Sequence, residues 1–438
     1  MSPLTRRQFL LTTGLTGLAG ASGLLGGCAR PTAASAQSGE VGVQIATNDP
    51  NYLTYFTGWA ETLSQTPGTY QYNLRTFLES TDQVVTKLLT SYMSGTDLPN
   101  MPGLEISQFS RLQRQNLAGN MLVNLKTVIP NLQQDYFQSR LTPYTSSGGI
   151  YGLESDMCLC VYYYREDLFQ KYNISTNFET WDDLIKIGTD AKTKHGVSVG
   201  AVGDNDLTWM AMLLFQQGGN FFDLDGNLTL DSPESVTAIQ TLLDGINSGA
   251  FAFYNAFYGA PAASDLNADK IAGYFMPDWY LPFVLKNNAP TQTGKWRMRV
   301  MPRFASGSPT SVWGGTGFAV VKDQAGTQAT VDLLKAAYNT QEGQVQRFLK
   351  ANYLPTMKAA WTDQRIINFE NDYLGGQKPY EVFSTIVDKA PTMITNEYWD
   401  VMTGEMNIAL SDAVLGKATP AQAIKTASSA IASQMKGI

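Results

Sequence analysis

The chain has 438 residues, of which 43% are hydrophobic and only 16% are charged, and its formal net charge at pH 7 is -7. A chain of this length buries a large core and should divide into two domain-sized units. The sequence contains no basic cluster and no arginine-rich stripe, and its net charge is negative. We therefore do not expect nucleic acid as a partner. His195 is the single histidine, so a histidine-rich metal site is excluded. We expect neither a metal nor a cofactor.

The first 27 residues have the features of a bacterial export signal. The paired arginine Arg6-Arg7 precedes a weakly apolar stretch that glycines interrupt, as in twin-arginine signals. The following Leu25-Gly26-Gly27-Cys28 is similar to a lipobox, in which the cysteine becomes the lipidated first residue. We expect residues 1–27 to be removed, a lipid such as palmitate on Cys28 to anchor the protein outside the cytoplasm, and residues 28–39 to form a flexible tether. The alternative interpretation is an ordinary secreted protein with a chance cysteine.

Strand and helix patterns alternate along the rest of the chain. Glu40 to Ala46 predicts a first strand, a helix pattern follows, and Tyr70 to Leu78 predicts a second strand. Thr81 is predicted to cap the next helix, which ends at Gly95. Further helices are predicted to begin after Thr180, Ser232 and Thr419. This alternation predicts an α/β fold with a largely parallel sheet.

Two segments in the middle of the chain contain residues that could indicate a disulfide or a calcium site. Met157 to Tyr164 has the pattern of a buried strand, and its Cys158 and Cys160 are too far apart on one strand face for an unstrained disulfide. We therefore expect two buried free thiols. Phe221 to Leu230 predicts two short strands joined at Asp225-Gly226. We favour this hairpin over a calcium loop because the later calcium ligands are missing.

Several short motifs stand in a fixed order over the last two thirds of the chain. In chain order they are Tyr162-Tyr163-Tyr164-Arg165-Glu166-Asp167-Leu168-Phe169, Thr180-Trp181-Asp182-Asp183-Leu184, Gly218-Gly219-Asn220-Phe221-Phe222, Gly273-Tyr274-Phe275-Met276-Pro277-Asp278-Trp279, Trp313-Gly314-Gly315-Thr316-Gly317-Phe318-Ala319-Val320, Asn352-Tyr353-Leu354-Pro355 and Gly416-Lys417-Ala418-Thr419-Pro420. The series resembles the extracellular solute-binding proteins of bacterial ABC sugar importers, the group that includes maltose-binding protein. The chain departs from the family pattern at Leu153-Glu154, where a proline is usual, and at Met276-Pro277-Asp278.

The resemblance implies a two-lobed α/β fold of the type II periplasmic-binding-protein kind, with a hinge that the chain crosses three times. On this map, one lobe comprises residues 40–156 plus 317–372, and the other comprises residues 157–316 plus 373–438. The implied function is capture of a sugar or oligosaccharide in the interlobe cleft by hinge closure, and its delivery to the permease subunits of an ABC transporter. No enzymatic activity is implied, and we expect a monomer.

The chemistry of a sugar narrows the choice of ligand-binding residues. Hydroxyl edges require carboxylate or amide partners, and apolar C–H faces require aromatic platforms. The predicted platforms are Trp209, Trp279, Trp313, Tyr398 and Trp399. The predicted polar residues are Asn48, Asp49, Glu79, Asp156 and Asp278, and Gly315 is expected to let the backbone approach the ligand. For each of these residues a purely structural role, as a core aromatic, a helix cap or a solvated loop residue, is the competing interpretation.

Two other functions remain open from the residues alone. The acidic groups among the predicted site residues would also suit a polyamine. A lipid-anchored glycosidase is the second alternative, because catalytic carboxylate pairs follow no local spacing rule in the sequence.

Overall fold

The structure is a computed structural model, and it describes residues 39–204 and 206–437. The predicted export signal, Cys28 and the predicted tether as far as residue 38 lie outside these residues. Within the described ranges, no helix combines the length and the apolar character that a membrane crossing requires.

Twelve strands occur within residues 39–204 and 206–437. They are β1 (Glu40–Thr47), β2 (Gln71–Leu78), β3 (Met101–Glu105), β4 (Thr145–Ser146), β5 (Gly149–Ile150), β6 (Leu153–Glu154), β7 (Cys160–Arg165), β8 (Gly200–Gly203), β9 (Phe251–Tyr254), β10 (Gly273–Pro277), β11 (Trp296–Arg299) and β12 (Thr316–Phe318). Five of them form the largest sheet, in the order β2-β1-β3-β12-β6. A second sheet has the order β10-β7-β11, and β8 pairs with β9.

Helices cover both sheets. The α-helices of the described residues are α1 (Pro50–Ser64), α2 (Thr81–Ser94), α3 (Ile106–Gln113), α4 (Leu117–Met121), α5 (Leu132–Asp135), α6 (Gln138–Leu141), α7 (Glu166–Lys171), α8 (Trp181–His195), α9 (Thr208–Gln216), α10 (Pro233–Asn247), α11 (Ala260–Asn267), α12 (Lys286–Asn288), α13 (Thr327–Tyr338), α14 (Gln341–Ala351), α15 (Gln364–Ile367), α16 (Tyr380–Phe383), α17 (Trp399–Val414) and α18 (Pro420–Lys436). Short 3₁₀ helices lie at Arg114–Asn116, Leu125–Thr127, Thr142–Tyr144, Pro290–Gln292, Lys358–Thr362, Asp372–Leu374 and Val387–Lys389, and a π-helical turn lies at Leu281–Leu285.

The strand directions differ in part from the prediction. β1 runs parallel to β2 and β3, and β8 runs parallel to β9. The prediction of a largely parallel arrangement is wrong for the other strands, since β7 pairs antiparallel with β10 and β11, and β12 pairs antiparallel with β3 and β6. The reason is that β12 enters the five-stranded sheet on the way back from the three-stranded sheet, instead of following a crossover helix within one sheet.

Local capping explains where the helices begin. Thr180 and Thr419 each form a capping box at the start of α8 and α18, as predicted. The cap of α2 is Ser80 and not Thr81, because the Ser80 hydroxyl accepts the Gln83 N–H while the Gln83 side chain accepts the Ser80 N–H. The prediction was wrong by one residue, since two hydroxyl residues stand side by side and only the first has an extended backbone.

Two other local predictions need correction. In place of the predicted hairpin, the structure has a single antiparallel bridge between Phe222 and Leu228. The Asp223 carboxylate accepts hydrogen bonds from the backbone of the turn, so the turn is stabilised without flanking strands. Cys158 lies outside β7 with a φ of 50°, so it does not share a strand face with Cys160. Both cysteines are nevertheless free and buried, as predicted.

The sheets divide the chain into two bodies. The chain passes from the five-stranded sheet to the three-stranded sheet between β6 and β7, and it returns between β11 and β12. After α14 the chain leaves the body of the five-stranded sheet for the second time. Its last helices, α17 and α18, contact each other and α10. We call the body around the five-stranded sheet the first lobe and the body around the three-stranded sheet the second lobe. The three crossings therefore agree with the predicted fold, while the exact lobe boundaries stay a prediction.

Candidate functional site

A buried polar network joins the chain segments that pass between the lobes. The Arg140 and Glu154 side chains are almost fully buried and form a salt bridge with an Nη2–Oε2 distance of 3.0 Å. Arg140 also donates to two backbone oxygens, from Nε to that of Asp156 at 3.1 Å and from Nη2 to that of Gly314 at 2.8 Å. One guanidinium thus connects the first crossing to the second. We call Arg140, Glu154, Asp156 and Asp278 the hinge network.

The third crossing is held by the same network. The Leu354 N–H donates to Asp156 Oδ1 at 2.8 Å, and the Thr356 hydroxyl donates to the Glu154 backbone oxygen at 3.0 Å. The neighbouring Tyr353 hydroxyl donates to the Asp49 carboxylate. Residues of the crossing segments therefore supply hydrogen-bond donors to these buried carboxylates and carbonyls. Without such partners, the buried oxygens would lower the stability of the fold.

Asp49 has a structural position at the end of β1. Its carboxylate caps α1 by accepting the Asn51 N–H at 2.9 Å, and the side chain is buried beneath Tyr353. Burial raises the pKa of Asp49, while the hydrogen bond from Tyr353 opposes that rise.

Asp278 brings a second carboxyl group against Asp156. Burial and the neighbouring Asp156 charge raise the pKa of Asp278 well above its usual range, and burial also raises the pKa of Asp156. Two buried carboxyl groups this close to each other disfavour each other's ionisation. The Cys158 thiol donates to Asp156 Oδ2 at 3.7 Å, and burial raises its pKa. The side chains of Asp156, Cys158 and Asp278 offer possible metal-ligand atoms within 4.8 Å of one another, and the guanidinium of Arg140 lies beside this group.

Gly315 is required by the network. Its φ is +124°, and a Cβ there would lie 2.2 Å from Arg140 Nη2 and 2.6 Å from Glu154 Oε2. The Gly315 oxygen accepts the Ile106 N–H at 3.0 Å. A side chain at this position would disrupt both the salt bridge and the backbone conformation.

An open pocket of about 520 Å³ lies mainly on the second lobe. We call it the aromatic pocket. Its aromatic lining residues are Phe257, Tyr258, Trp313 and Trp399, and its polar lining residues include Ser107, Asp204, Asp206, Asn255, Thr403 and Asn407. Ser107 belongs to α3 of the first lobe. The described residues that line the pocket include no lysine or arginine.

Two tryptophans form parts of the pocket wall. Trp313 is partly exposed and packs on Phe215 with a centroid distance of 6.4 Å and an interplanar angle of 32°. The Trp279 indole N–H donates to the Trp313 carbonyl at 3.0 Å, so Trp279 positions Trp313 and does not line the pocket. Trp399 is the first residue of α17 and is held edge-on against Phe221.

The polar groups of the pocket retain unused hydrogen-bonding capacity. Asp206 Oδ1 accepts both the backbone N–H and the hydroxyl of Thr208 at the start of α9. Asp206 Oδ2 has no hydrogen bond with another described residue. Thr403 and Asn407 lie one and two turns after Trp399 on α17. Thr403 Oγ1 and Asn407 Oδ1 are buried and have no hydrogen-bond partner among the described residues. Unpaired buried polar atoms cost about 1–3 kcal/mol each, so a polar ligand that pairs them gains affinity.

The structure separates the predicted aromatic residues. Trp313 and Trp399 share the aromatic pocket, whereas Trp209 is buried at its edge against Phe257 at a centroid distance of 4.6 Å. Tyr398 lines another cavity, next to the pocket.

The predicted polar residues are separated in the same way. Asp156, Asp278 and Gly315 belong to or border the hinge network, and none of them lines the pocket. Asn48 is exposed after β1. Glu79 follows β2, where its N–H donates to the Thr47 oxygen and its carboxylate pairs with Lys87 at 2.5 Å.

Sequence reasoning did not select several residues that line the pocket. Asp204, Asp206 and Ser107 are not part of a motif that would mark them as ligand-binding residues. Thr403 and Asn407 could have been predicted as pocket residues from the sequence. They follow Trp399 at intervals of four residues and therefore lie on the same face of the helix.

Comparisons with known proteins agree with this architecture. A family model for bacterial extracellular solute-binding proteins matches residues 64–368. An arabinooligosaccharide-binding protein of Halalkalibacterium halodurans is 25% identical over 366 residues, which cover 81% of each chain. A protein of the same description from Bacillus subtilis is 26% identical over 328 residues, covering 72% of this chain and 73% of the relative. A lactose-binding protein of Rhizobium radiobacter is 24% identical and covers 61% of this chain and 63% of its own.

Solved structures show the same fold. The galacto-N-biose-/lacto-N-biose I-binding protein of a Bifidobacterium longum ABC transporter matches with a TM-score of 0.73 at 17% identity, covering 91% of this chain and 97% of its own. A cyclic α-maltosyl-1,6-maltose binding protein from Arthrobacter globiformis also matches with a TM-score of 0.73, at 18% identity, covering 91% and 99%. The two-lobed α/β fold predicted from the sequence is confirmed.

Proposed function

The chain belongs to the bacterial extracellular solute-binding proteins, and from this premise we propose that it captures a neutral oligosaccharide in the aromatic pocket for an ABC importer. Proteins of this family bind solutes and do not transform them, so the chain is not an enzyme. The family description also places it outside the cytoplasm.

The lining of the aromatic pocket is the observation that carries the proposal. Trp313 is partly exposed and offers a flat apolar surface for a C–H face of a sugar, whereas Trp399 is only 3% exposed and forms the wall behind the pocket. Asp206 Oδ2, Thr403 and Asn407 offer polar atoms for the hydroxyl groups. Without a lysine or arginine in this lining, a uronate or a sugar phosphate would lose its hydration and gain no opposite charge.

The relatives indicate the class of sugar. Two of them are named for arabinooligosaccharides and one for lactose, and all of these ligands are neutral. An oligosaccharide of this kind matches a pocket with aromatic walls and no cationic lining residue.

Closure of the lobes is the proposed mechanism of capture. Ser107 comes from the first lobe and the other lining residues come from later parts of the chain, so a ligand contacts both bodies. A ligand that makes more contacts in the closed form than in the open form shifts the population toward closure. The closed form is then the species that we propose the permease subunits recognise.

Thermal melting against a panel of ligands tests the proposal. The panel contains arabinooligosaccharides, lactose, maltooligosaccharides, glucuronate and spermidine. A ligand at about one hundred times its dissociation constant adds about 2.7 kcal/mol to the free energy of unfolding. We expect a rise in melting temperature with at least one neutral saccharide and none with glucuronate. A panel without any saccharide effect would refute the proposed function.

A cationic solute is the second candidate, and one observation favours it. Asp206 lines the pocket, and none of the described lining residues is positively charged. A polyamine would find a carboxylate for an ammonium group and an aromatic face for its methylene groups. Stabilisation by spermidine in the absence of any saccharide effect would select this candidate.

We also propose that a lipid on Cys28 holds the protein at the membrane. The support is the lipobox-like sequence before Cys28 and the paired arginine of the export signal. In a bacterial host with lipoprotein processing, we expect a labelled palmitate to be incorporated into the natural chain and not into the Cys28→Ala variant. Equal labelling of both chains would refute the anchor without affecting the sugar proposal.

A further inference from the structure

Three buried side chains lie together beside the first crossing between the lobes. Asp156 and Cys158 belong to the crossing itself, between β6 and β7, and Asp278 follows the end of β10 in the second lobe. Asp156 and Cys158 are 1% exposed, and Asp278 is 5% exposed. One oxygen from each carboxyl group and the thiol sulfur lie within 4.8 Å of one another. We call these three side chains the acid–thiol group.

Asp278 brings two unused acceptors to the acid–thiol group. Its Oδ1 and Oδ2 are both buried, and neither has a hydrogen-bond partner among the described residues. The Asp278 N–H donates to the Leu159 oxygen at 3.0 Å, so the backbone holds this residue against the first crossing. A buried carboxyl group without donors lowers the stability of the fold. The position of these oxygens therefore favours a ligand that accepts their lone pairs.

The nearest positive charge is already paired with another carboxylate. Arg140 forms its salt bridge with Glu154 at 3.0 Å. Its bonds to Asp156 and Gly314 go to backbone oxygens. In the described part of the chain, the carboxyl groups of Asp156 and Asp278 thus face each other and a thiol without an ion pair of their own. A cation bound between them would supply the missing opposite charge.

We propose that the acid–thiol group binds one divalent cation, and that this cation is Zn²⁺. The ligands are one thiolate and two carboxylates, and His195, the single histidine of the chain, takes no part. The site therefore departs from the sequence-based expectation of no metal, which considered histidine-rich sites. A thiolate favours Zn²⁺ over Mg²⁺ and Ca²⁺, because these two ions prefer oxygen ligands alone.

The spacing of the acid–thiol group suits zinc. Tetrahedral zinc, with bonds of about 2.3 Å to sulfur and about 2.0–2.2 Å to oxygen, places a sulfur and an oxygen ligand about 3.5 Å apart. Cys158 Sγ and Asp156 Oδ2 are 3.7 Å apart. Small rotations of the Asp278 side chain close the remaining distance, since the whole set lies within 4.8 Å. The second oxygen of Asp278 is open for the fourth position.

Binding exchanges a proton for the metal. The metal–sulfur bond forms as the S–H bond of Cys158 breaks, and the proton leaves to solvent. Asp156 also accepts the Leu354 N–H at 2.8 Å, so the ion connects the first crossing, the third crossing and the second lobe. The ion therefore stabilises the folded chain, and unfolding releases it.

Metal content after refolding tests the proposal. Because the group is buried, the full chain is unfolded in a chelator and refolded with Zn²⁺, with Mg²⁺ or without metal, and loose ions are removed by gel filtration. We expect about one zinc ion per chain by mass spectrometry, and a higher melting temperature than that of the metal-free protein. Mg²⁺ should neither be retained nor change the melting temperature. Loss of zinc on gel filtration, or equal retention of Mg²⁺, would overturn the proposal.

Refolding with Co²⁺ identifies the sulfur ligand, because cobalt bound to a thiolate has a sulfur-to-metal charge-transfer absorption in the near ultraviolet. All chains for this experiment carry Cys28→Ala, which removes the third cysteine. Cys160→Ala is the matched control for Cys158→Ala. Cys160 is also a buried free thiol, but its sulfur lies 3.2 Å from that of Met212 and does not belong to the acid–thiol group.

We expect the absorption and the bound metal to be lost in Cys158→Ala and kept in Cys160→Ala. Equal metal content in the two variants would show adventitious binding and overturn the site, as would bound cobalt without the absorption. If Cys158→Ala does not refold, Cys160→Ala decides, since Cys158 is then the last thiol of the chain. The absorption in that variant supports the site, and its absence overturns it.

Discussion

The hinge network and the aromatic pocket both contain carboxylates beside aromatic rings, but their carboxylates have different surroundings. Glu154 and Asp156 are 1% exposed, and Arg140 and backbone N–H groups of the crossing segments bind them. Asp206 is only partly buried, and its known hydrogen bonds use one of its two oxygens. In the hinge network the protein itself binds Glu154 and Asp156, although both oxygens of Asp278 are buried without a hydrogen-bond partner among the described residues. In the pocket, Asp206 keeps one oxygen open among the described residues.

This difference separates what holds the lobes together from what recognises the ligand. Substitutions in the hinge network should act mainly on the free energy of unfolding, because they leave buried charges without partners. Substitutions in the pocket should act mainly on affinity, because the free protein already tolerates unpaired groups there.

The largest effect is expected from Arg140→Met. The substitution leaves Glu154 buried without its ion pair and removes the hydrogen bonds to two crossing segments. We expect the free energy of unfolding to fall by about 3–5 kcal/mol, measured by urea denaturation. Arg303→Met removes an exposed ion pair with Glu179 and serves as the control, with an expected change within about 0.5 kcal/mol. A similar, small effect for both variants would show that the hinge network is not what stabilises the crossings.

The second prediction concerns pH. Because the pKa of Asp278 is raised in the folded protein, the folded state keeps a proton that the unfolded chain loses near pH 4. The stabilisation from this proton is therefore complete below about pH 4 and is lost as the pH rises through the raised folded pKa. Asp278→Asn removes this dependence, so the free energy of unfolding of the variant should fall less steeply above about pH 4 than that of the natural protein, by up to about 1.4 kcal/mol per pH unit.

The control for the pH prediction is Asp388→Asn, at an exposed carboxylate outside the network. Its melting temperature should follow the natural protein over the whole range. Parallel curves for the natural protein and Asp278→Asn would contradict the raised pKa of Asp278.

The smallest effect is expected at Arg111, which joins the lobes at the surface. Its guanidinium pairs with Asp82 of the first lobe and with Asp400 of α17, both at 2.8 Å, and the side chains are 28% exposed for Arg111 and 53% for Asp400. Exposed pairs contribute only about 0.2–1 kcal/mol. Arg111→Met should therefore weaken saccharide binding less than about fivefold, and the loss should shrink further at about 1 M salt. Lys417→Met breaks an exposed pair with Asp412 within one lobe and should leave affinity unchanged.

Helix starts and the overall fold were accessible from the sequence for a physical reason. A capping box is a local signal, so Thr180 and Thr419 could be identified from a few neighbouring residues. The left-handed backbone of Cys158 could not be predicted, because no glycine or asparagine stands there and the residues that contact it are distant in the chain.

The candidate site was only partly predictable. Trp313 and Trp399 were identified because a sugar site requires aromatic faces, and both stand at the places where the family resemblance puts them. Asp206 and Ser107 were missed because the pocket assembles from loops and helix starts that lie far apart in the chain. No spacing rule connects such residues. Asp156 was predicted from its position at a crossing, and Asp278 from its place beside Trp279. Both are buried in the hinge network, and neither lines the aromatic pocket.

The central claim is that the aromatic pocket binds a saccharide, and calorimetric titration of two tryptophan variants tests it most directly. The best-binding saccharide of the panel is titrated into the natural chain, into Trp313→Ala and into Trp59→Ala, which removes a partly buried tryptophan of the first lobe that does not line the pocket. We expect Trp313→Ala to weaken binding by about 10–100-fold, since it removes an aromatic contact surface, and Trp59→Ala to leave the affinity within about twofold. Unchanged affinity in Trp313→Ala would contradict the account and place the ligand elsewhere.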